Sequence, residues 1–118
     1  LADQTAVSAP WRAALEAAGD DPTRLTRAFS GRHARGIENR FMREMRAVED
    51  EVPAYPVQNR LTQPLRAAAA QAGQADMISL WAGQGVRLAK PGDAGEMVAK
   101  WWEEAQAAAQ ALSERMGR

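Results

Sequence analysis

Few side chains in this sequence have the chemistry of a nucleophile, a general base or a metal ligand. His33 is the sole histidine, and cysteine is absent. A triad of Ser30, His33 and a carboxylate such as Glu38 can be drawn on paper, but nearness along the chain is not triad geometry. A lone histidine among arginines is ordinarily a surface or hydrogen-bonding residue. No HExxH, paired-ligand or EF-hand spacing occurs, so no metal site is expected. Without cysteine there is no disulfide framework, cysteine nucleophile or thiolate site, which fits a cytoplasmic protein. No GxGxxG or P-loop is present, and Gly83-Gln84-Gly85 on its own marks a turn or a close backbone approach. Trp101 and Trp102 are adjacent. On a helix they point about 100° apart, so one is expected to face the core and the other a second, interface-like surface.

The elements that must carry these residues are mainly helical. SAPWRAALEAAG, residues 8 to 19, has a capping Ser8, Pro10 in the first turn and a terminating Gly19, with Trp11, Leu15 and Ala18 on one stripe. Asp20-Asp21-Pro22 reads as a turn. Residues 24 to 29 suit a short strand. From Ala34 the period is helical, with Ile37, Phe41, Met45 and Val48 spaced by four and three. Residues 49 to 56, EDEVPAYP, are acidic and proline-punctuated, hence a loop. Val57, Leu61, Leu65, Ala68 and Ala72 continue a helical stripe that Pro64 interrupts. Either the helix kinks there, or Thr62 caps a new helix over 63 to 72; we favour the second. DMISLWAGQG, residues 76 to 85, suits a short buried strand delivering a glycine turn. Asp93 and Glu96 have capping-box spacing ahead of Met97, Trp101, Ala105, Ala108, Leu112 and Met116, which predicts one long helix from about 94 to 116.

Composition narrows the classes further. The chain has 118 residues, one domain's worth, of which 26 are alanine. Alanine favours helix and disfavours strand, so an all-β sandwich or barrel is excluded. Leu, Ile, Val and Phe together number only 18, a thin core that points to a partner or further sequence to complete it. No run approaches the ~20 apolar residues of a membrane span. No basic-then-apolar leader opens the chain, and its start at Leu1 instead of Met leads us to expect a trimmed or excised piece. Net charge is zero, yet residues 24 to 46 carry seven arginines against Glu38 and Glu44. Those arginines interleave with Ile37, Phe41 and Met45, the pattern of a solvated helix face, and the overall pI of about 6.8 is not that of a basic binder. No nucleic-acid partner is expected.

Two blocks taken together carry more information. LTRAFSGRHARGIENRFM, residues 25 to 42, and SLWAGQGVRL, residues 79 to 88, resemble sequence blocks of the nitronate monooxygenase family, formerly the 2-nitropropane dioxygenases. APWRAALEAA (9 to 18) and YPVQNRLTQPLRAAAA (55 to 70) resemble that family's intervening segments, in the same order. Members fold as an FMN-binding (β/α)8 barrel with a small inserted α/β domain near the C-terminal end. They oxidise alkyl nitronates with molecular oxygen.

The resemblance implies that this chain is a C-terminal part of such an enzyme. It reads as mainly α with a few short strands, not a complete barrel, since a barrel takes about 250 residues. Residues 1–92 are expected to form the small inserted domain, with its preceding helix and the returning SLWAGQG segment, and residues 93–118 the long C-terminal helix. The family's catalytic base and phosphate-holding turns lie upstream, so no catalytic residue is expected here. His33 stands where relatives commonly have proline and does not inherit the base's role. Gly83, Gln84 and Gly85 are the candidates for approaching FMN, with Trp81 walling the substrate pocket; a buried turn without ligand contact explains the same residues. Arg32 and Arg35 are expected to pair with the Glu49 to Glu51 carboxylates, or alternatively to face an anionic substrate. Asn39 is expected to bond a buried backbone group. The expected partners are the remainder of the barrel or a second copy of the chain. The rival reading is a free-standing helical interaction module without flavin chemistry.

Overall fold

A two-stranded hairpin organises the middle of the chain. In the computed structural model, which describes residues 1–20 and 22–117, Thr23–Thr26 (β1) pairs antiparallel with Ala34–Ile37 (β2). The register runs from Thr23↔Ile37 to Thr26↔Ala34. β1 falls within and just before the expected 24 to 29, while β2 replaces the start of the helix that the period predicted from Ala34. The reason is non-local. The Ile37 amide donates to the Leu80 carbonyl at 2.8 Å, and the Ala82 amide donates to the Arg35 carbonyl at 3.2 Å. A helix over these residues would forfeit both bonds and the β1 ladder.

Helical backbone begins only after Asn39. Its side chain accepts from the Met42 amide at 3.2 Å and so caps α2 (Arg40–Met45), which a 3-10 turn at Arg46–Val48 extends. The same side chain donates to the carbonyls of Ala75 at 3.1 Å and Ile78 at 2.8 Å. Asn39 thus bonds buried backbone groups as expected, from a cap and not from a helix interior.

α1 (Ala9–Glu16) lies inside its predicted span, with Pro10 in the first turn and Ser8 at the cap position. The predicted turn at 20 to 22 includes Asp21, which lies outside the described residues. α3 (Val57–Gln71) is one continuous helix through Pro64, so the separate helix over 63 to 72 does not form. Thr62 does not cap; its hydroxyl donates across to the Phe29 carbonyl at 2.6 Å. Pro64 removes one intrahelical bond, to the carbonyl four residues back on the exposed Arg60, where water can serve.

The buried face of α3 is unexpected. Its apolar stripe points outward, with Val57, Leu61 and Leu65 all exposed, while Gln58, Thr62 and Ala69 are buried. The carbonyls of Ala28 and Phe29 decide this. They leave the end of β1 facing α3 without ladder partners, and the Gln58 amide and Thr62 hydroxyl supply the donors, each at 2.6 Å.

After α3 the chain makes a 3-10 turn at Ala75–Met77. The buried strand expected over 76 to 85 is reduced to an extended stretch with an isolated antiparallel bridge between Trp81 and Gly36. Ala69, Ile78 and Leu80 form the core here, with Trp11, Ala14, Ile37 and Met77 packed against them.

The chain divides into two compact units, residues 7–89 and residues 1–6 with 90–117. The second unit is built on α4 (Ala94–Met116), as its period and capping signal predicted. Asp93 caps it, its carboxylate accepting from the amides of Gly95 at 2.8 Å and Glu96 at 3.1 Å. Gln4 donates to the same carboxylate and accepts from the Ala94 amide at 3.1 Å, and Ala2 bridges Gly92. Bonds from the Glu96 amide, the Gln4 amide group and the Gly95 amide hold the Asp93 pKa below its ordinary value against slight desolvation. Trp101 and Trp102 are both exposed, at 58% and 66%, where one was expected against the core. Within this unit α4 has residues 1–6 and the short segment 90–93 beside it.

Candidate functional site

Gly36 sets how closely the WAGQG segment approaches the hairpin. A Cβ there would stand 2.9 Å from the Leu80 carbonyl oxygen and 3.2 Å from the Trp81 ring. Glycine lets both the backbone and the indole lie against β2. Trp81 then meets Phe29 edge-on, ring centroids 5.6 Å apart and planes at 85°, and Phe29 stacks on Phe41 at 4.6 Å. Phe29 is fully buried and Trp81 partly exposed, so the indole is supported from one side and open on another. Gly31 has a different reason to be glycine. Its φ is +79°, and a Cβ would fall 2.2 Å from the Pro53 carbonyl oxygen.

Beyond Trp81 the chain leaves the hairpin at Ala82 and turns. The Val86 amide donates to the Gly83 carbonyl at 3.1 Å and the Leu88 amide to the Gly85 carbonyl at 2.9 Å, closing a turn that runs into a 3-10 segment at Val86–Leu88. Gly83, Gln84 and Gly85 are all exposed. A Cβ on Gly83 would meet nothing within 4 Å, and one on Gly85 would meet only the end of the Leu88 side chain at 3.8 Å. Neither glycine has the left-handed φ that excludes other residues. Nothing within the described residues requires glycine at these two positions, in contrast to Gly31 and Gly36.

The other residues singled out from sequence are not brought together. Ser30 donates its hydroxyl to the Arg32 carbonyl at 2.9 Å, and His33 is exposed. Glu38 lies 3.5 Å from Arg24 and bonds Arg46, so Ser30, His33 and Glu38 form no triad. Arg32 and Arg35 do not take the Glu49 carboxylate. Arg35 donates to the Thr23 carbonyl and hydroxyl at 3.1 and 3.2 Å, and Arg32 is exposed. The partner of Glu49 is Arg24, at 2.7 Å, joined by the Arg27 amide. Partial burial pushes the Glu49 pKa up. Hydrogen bonds from the Thr26 hydroxyl, the Arg27 amide and Arg24 outweigh that and hold it below the ordinary value. The pairing could not be read from spacing, because β1 and not the following turn brings an arginine beside the 49 to 56 loop. Sequence reasoning also missed Arg66, which lines a cleft against α1.

Among the described residues no helix is long and apolar enough to cross a membrane.

Comparison with known proteins adds to this geometry. The sequence profile of the nitronate monooxygenase family matches residues 1–104. A probable nitronate monooxygenase from Staphylococcus aureus strain Newman is 52% identical over 67 residues, 57% of this chain and 19% of that protein. A second, from strain MSSA476, is 47% identical over 76 residues, 64% of this chain and 21% of that protein. The solved structure of nitroalkane oxidase from Streptomyces ansochromogenes superposes with a TM-score of 0.85 at 45% identity, covering 94% of this chain and 31% of that one. The chain therefore spans about a fifth of the length of the curated relatives it matches.

Proposed function

The chain belongs to the nitronate monooxygenase family, and from that premise we propose that it is the C-terminal portion of an FMN-dependent enzyme that oxidises alkyl nitronates with molecular oxygen. In this reading residues 1–92 are the inserted domain with the returning glycine turn, and residues 93–118 are the helix that closes the barrel. The observation that carries it is the Gly83–Gly85 turn. Two glycines stand in open space with no conformational or packing need of their own, next to an indole held on edge by Phe29. Such a turn fits the close approach of a planar cofactor. Gly83 and Gly85 leave the backbone bare for that approach. Gln84 offers both an amide donor and an acceptor to a ring edge or a nitro group. Trp81 walls the substrate side. The flavin, when bound, takes electrons from the substrate and passes them to oxygen.

In this reading the chain holds no general base, and exposed His33 stands where the family's relatives commonly have proline. The chain alone is accordingly non-catalytic, and its part is to shape and cover the flavin site. The outward apolar residues of α3 (Val57, Leu61, Leu65) and of α4 (Trp101, Leu112, Met116) support this reading, because the remainder of the barrel would bury them.

The test is reconstitution. The purified chain should show no flavin absorbance and oxidise no nitronate. Co-expressed with the barrel portion of a relative, it should yield a flavin-loaded, active complex in which Gln84→Ala raises KM or loosens the flavin. Stoichiometric flavin on the chain alone, or a complex indifferent to Gln84→Ala and Gly83→Val, would refute the assignment.

A further inference from the structure

A cleft of about 270 Å³ opens between α1 and α3, wholly within residues 7–89. It is lined by Ser8, Trp11, Gln63, Arg66, Ile78 and Ser79, with two alanines of α3. None of these belongs to the glycine turn or the Phe29–Trp81 cluster.

Arg66 is the only charged side chain in the lining. Its Nη2 donates to the Asn59 carbonyl at 2.9 Å and to the Asn59 side-chain oxygen at 2.8 Å, while Nη1 stands 3.5 Å from the Ser79 hydroxyl. All of these acceptors are neutral. Its Nε is buried without a partner among the described residues, as is the indole Nε1 of Trp11. Burial lowers the Arg66 pKa, and no neighbouring carboxylate offsets it. A partly desolvated guanidinium without a counter-charge is costly to maintain, and Arg24, whose Nε is likewise buried without a hydrogen-bond partner, has Glu49 at 2.7 Å.

The cleft thus has a positive charge, one Nη1 proton of Arg66 beyond its bond to Ser79, no acid, and an apolar wall of Trp11, Ile78 and alanine. We infer that it binds a small organic carboxylate, one oxygen of which accepts from Arg66 Nη1 and whose short apolar body lies along Trp11 and Ile78. The Nη2 protons stay on Asn59, and the charge-assisted bond to the carboxylate comes from Nη1. The volume lies just below the usual range for drug-sized ligands, which suits an acid of a few carbons. Inorganic phosphate carries the charge but gains nothing from the apolar wall, so it should bind more weakly. The inference does not rest on the flavin assignment.

Trp11 supplies the reporter. The chain has four tryptophans, hence four indole N–H signals in a proton–nitrogen correlation spectrum. Sodium butyrate should shift the Trp11 signal saturably and leave Trp101 and Trp102 unmoved, whereas sodium chloride at equal ionic strength should shift none. Phosphate and the Arg66→Gln variant should each weaken the effect by about tenfold or more. Ala67→Leu, which fills the cleft and retains Arg66, should abolish it. An unsaturable shift, an equal shift with chloride, phosphate binding as tightly as butyrate, or undiminished butyrate affinity in Arg66→Gln would each overturn the inference. Should Arg66→Gln fail to fold, undiminished butyrate binding by Ala67→Leu would overturn it instead.

Discussion

The Trp81 indole meets Phe29 edge-on, centroids 5.6 Å apart, because Gly36 beneath it has no side chain. One missing methyl group in β2 thereby fixes the direction in which the WAGQG segment leaves the hairpin. Gly36→Ala forces the Leu80 carbonyl or the Trp81 ring to shift, which should cost about 1–3 kcal/mol by analogy with overpacked cores. Urea unfolding would measure that loss, and a change in near-UV circular dichroism would report the displaced indole. An unchanged midpoint would show that the segment gives way freely.

Gly83 offers the opposite expectation. A Cβ there meets nothing within 4 Å, so Gly83→Ala should leave the stability of the chain within about 0.5 kcal/mol of the parent. In the reconstituted enzyme the same change should weaken flavin retention. Loss of stability without loss of flavin would make the turn structural.

The bonds from α3 to the end of β1 can be tested separately. Gln58→Leu and Thr62→Val each leave a buried carbonyl, of Ala28 or Phe29, without its donor. Each should destabilise by about 1–3 kcal/mol in denaturant unfolding. Neutral effects would mean that water replaces both donors and that α3 is free to present another face.

Acid should weaken the first unit through Glu49. Its folded pKa is below the ordinary 4.5, so its contribution is full above that pH and is lost as the pH falls through the lower folded value. Comparing unfolding midpoints between about pH 6 and pH 3 for the parent and Glu49→Gln should show a shallower acid limb in the variant. Parallel pH profiles would remove Glu49 from the account.

Asp93→Ala should fray the start of α4, seen as faster amide exchange at Gly95 and Glu96, the two amides its carboxylate accepts from. Protection unchanged at both positions would mean that Gln4 alone orders that turn.

The extent of α4 was legible because its determinants are local: a capping aspartate, an unbroken period and alanine-rich intervening residues act within a few positions of one another, though not which way its tryptophans face. α1 and the loop at 49 to 56 were legible for the same reason. The glycines of the WAGQG turn could be picked out as a motif, but two things about them were not visible in the sequence. One is that Gly83 and Gly85 face open space while Gly31 and Gly36 are enclosed. The other is that Trp81 is held by Phe29, itself stacked on Phe41, residues about fifty and forty positions earlier.

The sequence by itself determined the helical bulk of the protein, the extent of its last helix, the absence of thiol chemistry and, through two ordered blocks, its family. Only the tertiary structure decided that residues 34 to 37 are strand, that α3 runs through Pro64, and that its polar face turns inward. Each of these outcomes rests on a hydrogen bond to a distant carbonyl: Leu80 for Ile37, Phe29 for Thr62, Ala28 for Gln58. Periodicity measures where apolar side chains fall along a helix, but it contains no information about unpaired backbone acceptors arriving from elsewhere in the chain. A buried carbonyl without a donor costs about as much as exposing an apolar side chain. On α3 the carbonyls take the polar face, and the leucines are left on the face that, in the proposed enzyme, the rest of the barrel covers.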